Sequence, residues 1–330
     1  MRHNDILMIA GLSILLFTQT ILTSCYQKEL CYTHPHTKNV QVTFDWQHAP
    51  AAHPATMRLY TFSKDSEWRM HHEFTDYHGG KIGLSQGVYD ALCINSDAPR
   101  NFFRNIENIE TFEVYTRDIA VLDGVNAAVS KLPRAKGVER ERMVFQPDSV
   151  WCDVTLLPLI IPSDESMQSS LHVLTLYPKP LFRTCTVDIR NVQNMSHLRG
   201  VSATLSGMAG GVMASTGLPT DELVTVAFGM EKQWDGTTLQ GSLRTFGYNA
   251  RHDSSKHKLS IYALLNDGSR KFYTYDVTDQ IRNAKDPFHV HIVLDKLPLP
   301  ATTGGNFSIK PTVGEWGKGE EVIVPATAYN

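Results

Sequence analysis

Short runs of alternating apolar and polar residues recur along most of this chain. Val40, Val42, Phe44 and Trp46 alternate with Gln41, Thr43 and Asp45. A period of two places one set on a core face and the other towards water, which predicts a strand. Further strands are expected over residues 57–62, 87–94, 170–177, 183–190, 223–228, 238–246, 259–263, 271–277 and 289–294, with a last one at about 321–324. The run 150–161 is longer and more apolar, and Pro158 interrupts it. Asp267-Gly268 lies between two such runs and Asp235-Gly236 precedes another. Asp-Gly in that setting signals a hairpin with a type I′ turn, whose two central residues need φ > 0. Helix is expected in two places only. Phe102, Phe103, Ile106 and Ile109 have helical spacing, with Asp97 as N-cap and Pro99 in the first turn, and a helical turn is expected over 278–285, ended by Asp286-Pro287.

Many short strands at near-even spacing, broken by Gly and Pro, indicate an all-β protein built as sandwiches. Length adds a division. A chain of 330 residues suggests two domains of about 150 each. Pro178 and Pro180 cannot both sit inside a central strand, so the crossover is placed there. This gives an N-terminal β-sandwich over 39–177 and a C-terminal β-sandwich over 178–330.

The N-terminus follows a different pattern. Arg2, His3 and Asp5 are followed by an uncharged stretch from Ile6 to Leu22. A charged start, an apolar middle and a small-residue exit form a secretory signal peptide, here residues 1–24. Its exit, Leu22-Thr23-Ser24-Cys25, resembles the bacterial lipobox. That resemblance implies cleavage before Cys25, diacylglycerol on the Cys25 thiol and acylation of the new amino group. Residues 25–38 then form a lipidated tether. Several acyl chains, at about 0.8 kcal/mol per buried methylene, hold a protein firmly at a bilayer. No later apolar run reaches about 18 residues, so no other span is expected.

Composition narrows the class. Lys and Arg total 31 against 34 Asp and Glu, a net charge of −3, which lacks the basic excess of a nucleic-acid binder. The apolar fraction of 42% excludes a disordered chain. Export permits disulfides among Cys31, Cys93, Cys152 and Cys185. Four Cys allow three connectivities and the spacing selects none. Cys185 alternates with Val187 and Ile189, as a buried thiol would, and mostly buried thiols are expected.

No catalytic constellation stands in the sequence. There is no Gly-x-Ser-x-Gly elbow, no Walker A loop and no dinucleotide fingerprint. The Gly-rich segment 205–211 has no Lys in reach and suits close backbone packing better than phosphate binding. Asp164 and Glu165 read as a solvated turn. His34 and His36 near Cys31, the group His71, His72 and His78, and the pair His289 and His291 lack a convergent third ligand, so neither metal nor cofactor is expected. Trp46, Trp68, Trp151, Trp234 and Trp316 suit core packing, with a sugar-stacking surface as the alternative.

Several segments together resemble a known family. They are Cys31-Tyr32-Thr33-His34-Pro35-His36, Asp45-Trp46, Gly87-Val88-Tyr89 leading to Asn95, Leu205-Ser206-Gly207-Met208-Ala209, Thr245-Phe246-Gly247, residues 264–269, Asp276 to Ile281, Leu297-Pro298-Leu299-Pro300, Gly304-Gly305-Asn306-Phe307 and Glu315-Trp316. The chain resembles the fimbrial-anchor lipoproteins of Bacteroidales, the FimB-like group, and more closely a branch catalogued as a domain of unknown function. The resemblance implies two tandem transthyretin-like β-sandwich domains on a lipid tether at the cell outer membrane. It implies a structural or adhesive role without catalysis and a pilin-like partner, a fimbrial shaft or accessory subunit, joined by β-strand addition. The chain stops about six residues after Val324, which suits an anchor that receives a strand rather than donating one. The alternative function is a surface glycan-binding lipoprotein module.

Overall fold

The computed structural model describes residues 37–66, 69–162, 172–251, 256–301 and 316. The signal segment, Cys25, Cys31, the tether up to Thr37, Trp68, the Asp164-Glu165 pair and the expected strand at 321–324 lie outside the described residues. The described chain is almost entirely β, as its alternation predicts.

The first half is a sandwich. Strand β1 (Thr37–Phe44) lies between β13 (His172–Leu176), which runs parallel to it, and β4 (Gly79–Ser85), which runs antiparallel. A six-stranded sheet packs against these three. Its order is β14 (Lys179–Pro180), β11 (Trp151–Val154), β5 (Gly87–Asn95), β2 (Met57–Ser63) and β3 (Arg69–Phe74), and β12 (Leu159–Ile161) joins β5 beyond β11. Val40, Val42 and Phe44 of β1 meet Met57, Leu59, Ala91 and Cys93 across the interface. The alternation read along β1 is therefore the core-facing set. Trp46 closes the end of this core and donates its indole N–H to Tyr77 O at 2.8 Å.

The six-stranded sheet is buried on its other face too. Tyr60, Phe62, Leu92, Ile94 and Cys152 pack on Phe112, Val114, Val212, Ala214 and Phe246. This second layer includes a small sheet ordered β17 (Gly211–Met213), β7 (Glu113–Tyr115), β6 (Phe102–Arg104). The helix expected from Phe102 to Ile109 is absent. Phe102 to Arg104 pair with β7, and Asn105 turns the chain at φ 54°, a left-handed conformation that ends any regular run. Phe103, Ile106 and Ile109 still reach one core, from a hairpin rather than a helix face.

The second half is a strongly curled sheet ordered β21 (Arg270–Asp276), β20 (Lys258–Leu265), β16 (Leu198–Ala209), β18 (Leu223–Lys232), β19 (Leu239–Thr245), β15 (Arg183–Arg190), β22 (His289–Asp295). Its two ends fold over one core that includes Val187, Ile189, Leu205, Val226, Ile261 and Ile292. Strand β18 serves both ends. Its first half pairs with β10 (Arg142–Phe145) and its last three residues with β19. The hairpin of β8 (Val121–Leu122) and β9 (Ala127–Ala128) belongs to a layer that covers Tyr262 and Phe272 on the outer face. Helix α1 (Thr278–Arg282) falls within the expected turn at 278–285 and buries Ile281. Pairing crosses the Pro178 position three times: β14 joins the first sheet, while β7 and β10 pair with β17 and β18.

The two Asp-Gly turns differ from expectation. Gly236 and Gly268 adopt φ 68° and 83°, whereas Asp235 and Asp267 keep negative φ. These are type I turns followed by a left-handed glycine, not type I′ turns. The aspartates determine this. Asp235 Oδ1 accepts the N–H groups of Thr237 and Thr238 at 2.9 and 2.8 Å, and Asp267 Oδ1 accepts that of Ser269 at 2.8 Å.

Candidate interaction surface

Eleven large apolar side chains are exposed among the described residues. Five of them, Leu156, Leu157, Ile160, Val173 and Tyr177, share one flank of the first sandwich. Their arrangement follows from the interrupted run at 150–161. Strand β11 pairs with Leu92 to Ile94 and β12 with Gly87 to Tyr89, so residues 155–158 loop out between them. Thr155 pins the start of the loop, donating its N–H to Ala91 O and accepting Ala91 N–H, both at 2.9 Å. Pro158 cannot donate to a ladder, so the run cannot close up as one strand. Leu156 and Leu157 are left 96% and 81% exposed. Beyond the loop, Ile161 turns inward and Ile160 outward, at 2% and 65% exposure. On β13, Leu174 and Leu176 face the core and Val173 faces out. Among the described residues β12 pairs only with β5 and β13 only with β1, so both present an outer edge on this flank.

Two other edges differ. On the opposite flank β3 and β4 carry Arg69, His71, His72, Glu73 and Lys81, and Arg69 meets Glu107 at 2.7 Å. Charge along an edge discourages pairing with another chain. At the far end of the second half, Gln280 of α1 caps the margin of β22. Its Oε1 accepts Val293 N–H at 2.8 Å and its Nε2 donates to Val293 O at 3.1 Å.

The apolar flank leads into a cavity of about 470 Å³ between the two halves, lined in part by Leu156, Asp153, Lys179, Arg183, Ser215 and Phe288. A wider groove of about 700 Å³ lies over β18 where β10 and β19 diverge, and Phe145, Gln146, Gly229 and Gln240 line it.

The residues singled out by sequence are dispersed. Cys93, Cys152 and Cys185 are free, buried thiols. Burial pushes all three above the ordinary thiol value, Cys185 to about 12, which favours the neutral thiol at neutral pH. His289 and His291 sit on the exposed face of β22. His289 Nδ1 lies 2.8 Å from Asp286, and His291 Nδ1 lies 2.8 Å from Thr186 Oγ1. Among the described residues no three His, Cys, Asp or Glu side chains converge as metal ligands would. Trp46 and Trp151 pack edge-to-face at 6.1 Å, Trp316 packs on Tyr262, and Trp234 is fully exposed at a hairpin turn, so the described tryptophans do not form one platform. Sequence reasoning passed over Arg183 and the Leu156-Leu157 loop. The signal for the loop was present, as two leucines directly before a proline in an otherwise apolar run.

This all-β architecture is that of fimbrial anchors and adhesins. A candidate adhesin from Bacteroides ovatus superposes with a TM-score of 0.62 at 16% identity, covering 85% of this chain and 99% of that one. The fimbrial anchor protein Mfa2 from Porphyromonas gingivalis superposes with a TM-score of 0.51 at 14% identity, covering 78% and 90%. By sequence, the chain is 22% identical over 347 residues to a candidate fimbrium anchoring subunit, Fim4B of Bacteroides ovatus, covering 96% of this chain and 98% of that protein. Residues 24–229 match the family described as a domain of unknown function, DUF5119, and the chain belongs to that family. The resemblance to Bacteroidales fimbrial anchors within such a branch is thereby upheld.

Proposed function

We propose that this protein is a lipid-anchored fimbrial anchor of the outer membrane, tied down through Cys25, and that its β12–β13 flank receives an extended segment of a fimbrial subunit. The observation that carries this reading is the asymmetry of the edges. One flank is unpaired among the described residues and apolar, while its counterpart is charged and the β22 margin is capped. Strand addition needs main-chain donors and acceptors for affinity and pockets for alternate side chains for selectivity. The names of Fim4B and Mfa2 support the assignment to fimbrial anchoring, and a location at the cell envelope follows from the same comparison. The role is structural, with no catalytic step, and its partner is a fimbrial shaft or accessory subunit.

The start of β1 and the end of β12 lie towards the same end of the sandwich. Thr37, where the described chain begins, pairs with Ser85, and Gly87 pairs with Ile161 of β12. Affinity capture of fimbrial subunits by the purified mature chain tests the reading. Capture that Ile160→Lys weakens at least tenfold is expected, and capture indifferent to Ile160→Lys contradicts it.

A further inference from the structure

Arg183 lines the cavity between the halves, and its guanidinium has no acidic partner among the described residues. Arg58, Arg104 and Arg142, by contrast, meet Glu73, Glu113 and Glu222. Arg183 instead lies 5.4 Å from the Phe288 ring centroid. Gly247 makes room for it, since a Cβ there would come within 2.6 Å of Nε. Burial pushes the guanidinium below its ordinary value, and no carboxylate opposes that shift. A desolvated arginine without an anion is costly, and its five donors form a planar fork that matches a carboxylate. Lys179 and His48 also line the cavity. Asp153 is the one acid in the lining, and its Oδ2 already accepts Tyr177 N–H at 2.7 Å. Ser215 Oγ is buried there with no hydrogen-bond partner. The cavity is far larger than a carboxylate group, and Leu156 belongs both to its wall and to the apolar flank.

We propose that the cavity is a carboxylate receptor, in which Arg183, helped by Lys179 and Ser215, takes an acidic side chain of the extended segment laid along the β12–β13 flank. The proposal rests on the reading of that flank as a strand-accepting edge and adds the chemistry of what the edge selects: an alternating apolar segment carrying one acidic residue.

The test is fluorescence anisotropy on the purified mature chain with two labelled ten-residue Thr-Val alternating peptides, one with a central Glu and one with Gln in its place. The Glu peptide is expected to bind about tenfold more tightly than the Gln peptide. In Arg183→Met that preference disappears while Gln-peptide affinity holds. If Arg183→Met does not fold, Lys179→Gln, at an exposed position, is expected to reduce the preference about threefold. Equal binding of both peptides by the unmodified chain overturns the carboxylate receptor and leaves the flank reading standing. Binding of neither overturns the flank reading, and the receptor with it.

Discussion

Gly207, Gly210 and Gly211 show what a small side chain can admit. Gly207 sits at φ 74° in a bulge of β16, where a Cβ would press within 2.8 Å of His257 Nδ1. At Gly210 a Cβ would lie 2.8 Å from Glu222 Oε2, and at Gly211 it would collide with Glu113 Oε1 and approach Val114 O to 2.8 Å. The two carboxylates admitted there join Arg104 and Arg142, and so tie β6, β7 and β10 to the residue just before β18. The Gly-rich stretch is therefore a packing device. Gly211→Ala is expected to lower unfolding stability by roughly 2 kcal/mol or more in urea titration. Gly229→Ala is expected to change it by less than about 0.5 kcal/mol, because its Cβ meets nothing within 4 Å. His257 is fully buried and burial holds it below its ordinary value, so it folds neutral. The unfolded chain binds the extra proton first. Stability from this group is complete above about pH 6.5 and is lost as pH falls towards the depressed folded value. His257→Gln, which does not titrate there, is expected to flatten the decline in melting temperature between pH 6.5 and 5. Glu141 works in the opposite sense, since burial raises it and favours the fold on acidification, so the variant should expose that trend.

Elements were legible in the sequence where one face is buried. Strands β1, β15 and β22 alternate cleanly and were found with nearly correct bounds. Strand β16 has no period of two to set its bounds, because it is buried on both faces and nine consecutive residues from Val201 to Ala209 are buried. The apolar set Phe102, Phe103, Ile106 and Ile109 satisfied helical spacing by coincidence, since a hairpin can deliver the same residues to one core. Edges were not legible at all, because pairing depends on partners far along the chain, as in the parallel contacts of β1 with β13 and β15 with β22. The edge caps yield their own prediction. Gln280→Ala strips the cap from Val293 and is expected to cost about 1 kcal/mol of stability. It should also promote self-association at high concentration, as sedimentation velocity would report, because an uncapped margin invites pairing. Ile160→Lys removes an exposed side chain and is expected to leave the melting temperature unchanged.

At the scale of the whole molecule, the proposed reading joins a lipid tether at Cys25 to a body whose β12–β13 flank is apolar and unpaired among the described residues. The lipobox is a local motif, so the tether is an expectation that sequence alone can raise, and it lies outside the described residues. The flank was not legible, because it is assembled from β12, β13 and the loop before β12, and Arg183 joins it only through the fold. Cys25→Ser is expected to move the protein from the membrane fraction to the soluble fraction of the envelope, and fatty-acid labelling of the unmodified chain checks the same point. The central claim is tested most directly by a photo-crosslinking amino acid placed at position 160 or at position 81 in fimbriated cells. The account predicts an adduct with a fimbrial subunit from position 160 on the apolar flank and none from position 81 on the charged one. Equal adducts from both positions, or adducts from position 81 alone, would contradict it.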